Sequence, residues 1–257
     1  MTRRIVLLAV LTITATQLKA QQSFTIDMGT ASNYIAHGRT LSGNLPCFQP
    51  SATYGLNTGT DILAWFSLPY DRNTSFNDEW NLIVNQSTDI FTNKGNWKMN
   101  LHGYLDYWMN PNTQNPVVEP DFYNGMKYNA GIHKPISISA ASSLSMTVGY
   151  DYYFYQTFGA GRDILRDAGI HEFLIKFNKS FKNLNLGTKS VISNNRGAIN
   201  PNIIPGWGFF LQQLSANFKI KKVSLSSSIN YQYTIEKTLH EDNLLWFTLN
   251  ISRGFKI

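Results

Sequence analysis

The chain has 257 residues, 14% aromatic and only 15% charged, with a mean hydropathy of −0.22, a balance that suits one apolar and one polar surface more than an ordinary soluble domain. Its formal charge is +6, but Arg3, Arg4 and Lys19 carry three of those charges, and the remaining 19 basic and 16 acidic side chains form no run that would argue for nucleic acid. A lone cysteine, Cys47, excludes an intramolecular disulfide, and no CxxC or Cys/His spacing suggests a metal, so neither metal nor cofactor is expected.

Residues 1–20 are expected to be a secretory signal peptide, with the domain proper spanning 21–257. Arg3 and Arg4 make a basic start, Ile5 to Ala15 an apolar stretch, and Ala20 a cleavage position. The stretch is too short for a spanning helix, which needs about 20 residues. No cysteine follows it, so a lipid anchor is not expected. Beyond residue 20 no apolar run reaches helix-spanning length. A membrane protein of this sequence must therefore cross as strands closed into a barrel, because open sheet edges leave backbone groups unsatisfied in lipid.

Period-2 alternation then recurs along the chain. It predicts strands near 24–35, 46–55, 61–67, 79–91, 96–109, 122–133, 142–155, 169–180, 184–194, 207–219, 222–235 and 244–256. From Leu144, one face carries Met146, Val148, Tyr150, Tyr152 and Phe154, and the other Ser145, Thr147, Gly149, Asp151 and Tyr153. Strand 61–67 is short and 207–219 alternates poorly. The fold class expected is all-β, a transmembrane antiparallel up-and-down barrel of about 12 strands, many with the 9–11 residues such strands need.

Links after even strands are mostly short and hold Lys94, Lys134, Lys179, Lys182, Lys219, Lys221 and Lys222. Links after odd strands, 36–45, 68–78, 110–121, 156–168, 195–206 and 236–243, are long and carry nine acids against six bases. That asymmetry is the one expected of periplasmic turns and outer loops. Aromatics near strand ends, including Tyr34, Tyr54, Trp80, Trp97, Tyr107, Tyr123, Phe154, Trp207 and Tyr233, are candidates for interfacial girdles. The closing strand, Leu244 to Ile257, has apolar residues at its last and third-last positions. It partly matches the signal read by the barrel-insertion machinery.

Residues 24–70 carry a family resemblance. Ser32-Asn33-Tyr34, Gly38-Arg39, Pro46, Gln49 and Ala64-Trp65-Phe66-Ser67 resemble the TorF-like porins and the exported outer-membrane barrels with a Gly-Cys-Trp signature, of Bacteroidetes type. His37 stands where that family often has arginine, and Ala64-Trp65 replaces the Gly-Cys-Trp. The resemblance implies an outer-membrane barrel and a porin, with no defined substrate.

With the apolar faces on lipid, the lumen should hold Lys98, His102, Asp106, Lys127, Asp151, Glu172, Lys176 and Lys189, the candidate solute path, beside Asp27, Asn81, Asn85 and Asp89. On a strand, i and i+4 lie about 13 Å apart, so charge pairing must occur between neighbouring strands. His37, Arg39, Arg162 and Arg166 are candidates on the outer loops. The function expected is a narrow porin-like channel for small polar solutes in the bacterial outer membrane, with lipid, lipopolysaccharide and the insertion machinery as partners. Two alternatives stand beside it. One is a phospholipase-like barrel enzyme, for which His171 at the outer rim is a candidate, although no nucleophile motif supports it. The other is a soluble periplasmic β-barrel with apolar faces inward around a ligand.

Overall fold

The computed structural model describes residues 22–37, 39–56, 59–71, 78–92, 98–109, 125–139, 142–157, 169–195, 206–237 and 242–256. The expected signal peptide, Arg162, Arg166, Trp97, Tyr123 and Lys94 lie outside them.

The described residues form fourteen strands: β1 (Ser23–Ala31), β2 (Ile35–Ala36), β3 (Arg39–Thr40), β4 (Cys47–Leu56), β5 (Thr60–Pro69), β6 (Glu79–Ile90), β7 (Met99–Met109), β8 (Gly125–Ser139), β9 (Leu144–Thr157), β10 (Gly169–Ser180), β11 (Leu184–Asn195), β12 (Gly206–Ile220), β13 (Val223–Thr234) and β14 (Leu244–Lys256). All but β2 and β3 join one closed antiparallel barrel of twelve strands, each paired with its neighbours in sequence and β1 with β14. Closure leaves no unpaired edge, as the sequence pattern required. No helix is long and apolar enough to cross a membrane among the described residues.

Alternation places the apolar sets outside. Leu82, Leu101, Phe173, Ile175, Leu214, Ile229, Leu245, Phe247 and Ile251 are all exposed on the outer wall, while Asp106, Asp151, Glu172, Asn230 and Gln232 are buried inward. A soluble barrel with apolar faces inward would need the reverse. Trp80, Trp207 and Tyr233 sit outward near strand ends. Arg253, on the outer face of the closing strand, lies over the Phe255 ring at 5.1 Å.

Three boundaries differ from the sequence reading. First, β8 runs on through Lys134 and Pro135 to Ser139, so these residues are strand rather than turn, with Pro135 opposite Thr147. Lys179 and Lys219 likewise end strands, while Lys182, Lys221 and Lys222 occupy turns. Second, β5 is longer than expected, ten residues. Third, the first strand stops at Ala31, and residues 32–46 do not continue it as strand followed by an outer loop.

Those residues instead fold into the lumen as the β2–β3 hairpin, with Ile35 opposite Thr40 and Ala36 opposite Arg39. His37 opens the two-residue connection with φ +46°, the left-handed conformation that tight hairpin turns demand. Polar side chains lock the base. Asn33 accepts from Thr40 Oγ1 (2.7 Å) and donates to Asn44 Oδ1 (2.7 Å). The Ser42 hydroxyl accepts from the Tyr34 N–H (2.9 Å) and donates to the Leu45 carbonyl (2.7 Å). Ser42 and Asn33 are buried, so these bonds satisfy groups that would otherwise be costly.

Candidate functional site

The inward hairpin defines the site, because it divides the lumen into two unlike walls. At its base, Tyr34 packs on Trp65 with ring centroids 5.2 Å apart and donates its hydroxyl to Glu79 Oε1 at 3.2 Å. Burial, reinforced by the Glu79 and Asp106 carboxylates, holds the Tyr34 phenol well above its usual pKa, so it stays a donor. Tyr34 is therefore a lumenal anchor and not part of a girdle. At the tip, His37 meets the Tyr153 ring edge-on (4.5 Å) and places Nδ1 3.0 Å from Glu172 Oε1. The hairpin thus bridges from the β5–β6 side of the bore to β9–β10.

The wall formed by β10 to β14 carries an apolar cluster toward the outer end, beside the buried polar side chains of Ser193, Gln232 and Thr234. Ile170, Leu174, Val191, Phe209, Leu244 and Trp246 point inward and are buried. A cavity of about 220 Å³ lies between Ile35, Ala36 and His37 and this wall at Val191, Phe209 and Trp246. Lys189 also lines it, directly opposite Lys176 on the next strand. The expected wet, mixed-charge interior is therefore only half of the lumen. The apolar half seats the hairpin.

The opposite wall, β6 to β9, is mainly polar, although Ile83 also faces inward between Asn81 and Asn85. Asp106 is wholly buried, with Asn81 Nδ2 at 3.0 and 3.1 Å from its two oxygens and Lys127 Nζ at 3.0 Å. Lys127 also lies over the Tyr104 ring, 5.4 Å from its centre. Asn81 Oδ1, Trp108 Nε1 and Asn129 Oδ1 on the same wall are buried without a hydrogen-bond partner. One row away, His102 Nε2 lies 2.7 Å from Asp151 Oδ1, and His133 Nε2 lies 3.2 Å from Asp151 Oδ2. Toward the short-turn mouth, Lys98 pairs with Asp89 at 2.8 Å in an exposed contact.

His102, Asp106, Lys127, Asp151, Glu172, Lys176 and Lys189 lie on inward faces of their strands, whereas Lys98 precedes β7 and is about half exposed; the Asp106–Lys127 and His102–Asp151 contacts join different strands, as the spacing of about 13 Å along one strand requires. They do not form one cluster. Lys98 stands apart from His102 and Asp106, while Glu172 engages the hairpin and not Lys176. Arg39 lies in β3, opposite Ala36. His171 faces outward with its Nδ1 2.7 Å from the Tyr150 hydroxyl. Sequence reasoning missed His133, Tyr34, Trp65 and the apolar seat. A signal for the seat existed in Leu244-Leu245-Trp246-Phe247, where both faces of a strand are apolar.

No family model matches the chain, and no curated protein matches it. Among solved structures it is similar to the KdgM porin, with a TM-score of 0.54 at 7% identity over 90% of this chain and 99% of that one. It is also similar to an outer-membrane channel from Pseudomonas putida F1 (TM-score 0.50, 10% identity, 92% of this chain and 96% of that one). A third is LpxR from Salmonella typhimurium (TM-score 0.51, 8% identity, 90% of this chain and all of that one). At these identities the likeness is one of fold, and the fold is that of outer-membrane barrels.

Proposed function

We propose that this chain is an outer-membrane channel with a narrow, polar-lined path for small polar solutes. The observation that carries the reading is the two-walled lumen: a closed barrel with its apolar side chains outside, an inward hairpin beside one wall, and a mainly polar wall facing it. Twelve strands enclose more space than side chains alone fill in eight-stranded barrels, yet less than the open sixteen-stranded porins. The hairpin narrows that space further, reaching from Trp65 and Glu79 on one side to Tyr153 and Glu172 on the other. Lumenal acids and bases are both present, so a solute that donates and accepts hydrogen bonds suits the wall better than one of a single strong charge.

Several finer readings belong to the same proposal. Lipid and lipopolysaccharide cover the outer wall, the leader directs export, and the closing strand is read by the insertion machinery. The TorF-like resemblance over residues 24–70 maps onto β1, the inward hairpin, β4 and β5. Membership in that family would make the hairpin its shared device.

The test is planar-bilayer recording with purified protein whose migration on gels is heat-modifiable. Discrete conductance steps, carried by both cations and anions, are expected. Silence from protein proven folded would refute the channel.

A further inference from the structure

The polar wall contains one cluster that passage of solutes does not explain. His102 on β7, His133 on β8 and Asp151 on β9 bring their ligand atoms within 4.8 Å of one another. The two imidazole rings stand edge to face, centroids 4.3 Å apart, and both aim Nε2 at the same carboxylate. We propose that these three side chains bind a divalent transition-metal ion of the zinc class inside the lumen.

The placement depends on two glycines. His102 lies opposite Gly131, and Gly131 opposite Asp151, so the middle strand separates two ligands that must meet above it. A Cβ on residue 131 would stand 2.0 Å from Asp151 Oδ1 and 2.5 Å from His102 Nε2. His133 lies opposite Gly149, where a Cβ would stand 2.2 Å from its Cδ2. Neither glycine has a positive φ, so what these positions supply is space for the cluster and not a turn.

The donor set selects the ion. Two imidazoles and one carboxylate suit zinc, nickel, copper or iron, whereas magnesium and calcium take oxygen ligands. Bonds of about 2.0–2.2 Å to each of the three would need only small side-chain rotations from the present spacing. Two Nε2–H groups crowded on one carboxylate repel each other when both rings are charged. A metal ion replaces both protons with one centre, and binding releases them. Glu172 lies directly opposite Asp151 and adds negative charge against that of Lys176, two rows further on. Three protein ligands leave a position open toward the lumen, where water or a solute can coordinate. This inference does not rest on conduction, since a sealed barrel would offer the same ligands.

The experiment is calorimetric titration of Zn²⁺ into untagged, metal-stripped full-length barrel in detergent, with Co²⁺ absorption spectra as a second readout. One Zn²⁺ per chain is expected, unaffected by excess Mg²⁺ or Ca²⁺, and so is a Co²⁺ spectrum of low coordination number. His102→Ala and His133→Ala, each shown folded by heat-modifiable migration, should weaken binding by at least about 100-fold, more than second-sphere changes do. Gly131→Ala should do the same while leaving every ligand in place. If a variant does not fold, the wild-type Co²⁺ spectrum decides, because imidazole-ligated cobalt differs from the hexaaqua ion. Absence of stoichiometric binding, a Co²⁺ spectrum unchanged from the aqueous ion, or full Zn²⁺ affinity in folded His102→Ala and His133→Ala would overturn the site.

Discussion

Asp106 shows how a buried charge is tolerated in the barrel wall. Its carboxylate is closed off from solvent, yet Asn81 and Lys127 satisfy both oxygens from strands on either side. Removing one partner from such a group leaves a charge with no solvation, typically at a cost of about 3–5 kcal/mol, whereas removing both can be nearly neutral. Lys127→Met is therefore expected to lower unfolding stability in urea by about 3 kcal/mol, and Lys127→Met with Asp106→Asn to recover most of that loss. Equal losses in the single and double variants would show that Lys127 acts by packing on Tyr104 alone. The surface pair Lys98–Asp89, about half exposed and screened by solvent, should contribute little to stability. The lumenal ligands of the inferred metal site illustrate the opposite side of legibility. Residues 102, 133 and 151 have no motif spacing, and His133 was read as the last residue of a strand entering a turn. Only the register of three strands brings these residues together.

At the scale of elements, the inward hairpin and the β12 bulge both depart from simple alternation. Residues 32–46 look in sequence like the end of a strand and an outer loop, because a two-residue strand pair leaves almost no periodic signal. Their inward course depends on the apolar seat across the bore and on the Asn33–Ser42 lock at the base. Replacing residues 33–44 with a short glycine-asparagine turn is expected to raise the single-channel conductance severalfold and to expose Phe209 and Trp246 to aqueous quenchers. Unchanged conductance would mean that the hairpin does not lie on the solute path. The poor alternation of 207–219 has a direct cause. Asn194 pairs with Trp207 and Ser193 with Phe209, so Gly208 is left unpaired as a bulge. Trp207 and Phe210 then both face outward while Phe209 faces in, which a strict period of two cannot reproduce. The Gly208 carbonyl is not idle, since it accepts from the Ile235 and Glu236 N–H groups at 2.9 and 3.0 Å.

For the whole molecule, the decisive property is which face meets lipid. Leu214 is outward at mid-strand and more than half exposed, while its neighbour Gln213 points inward and bonds Asn230. A lysine on the lipid face near the bilayer midplane costs about 2–4 kcal/mol. Leu214→Lys should lose that much when refolded into bilayers, and Gln213→Lys should lose far less, read from urea titrations in lipid vesicles. The reverse order would place solvent outside and the apolar faces within, contrary to the barrel described.

Sequence alone determined the class of fold, the approximate number of strands and the face each side chain presents, because in a strand these follow from a period of two and from the lengths of the links. It also gave His102, Asp106, Lys127, Asp151, Glu172, Lys176 and Lys189 the parity of the inward faces they occupy, while Lys98 lies before β7 and is about half exposed. Tertiary structure decided what those residues do, since partners across strands are set by register and closure, which no local spacing encodes. It likewise decided that the segment after the first strand turns inward. That course follows from apolar surface contributed by four strands remote in sequence, and such a surface exists only once the barrel has closed.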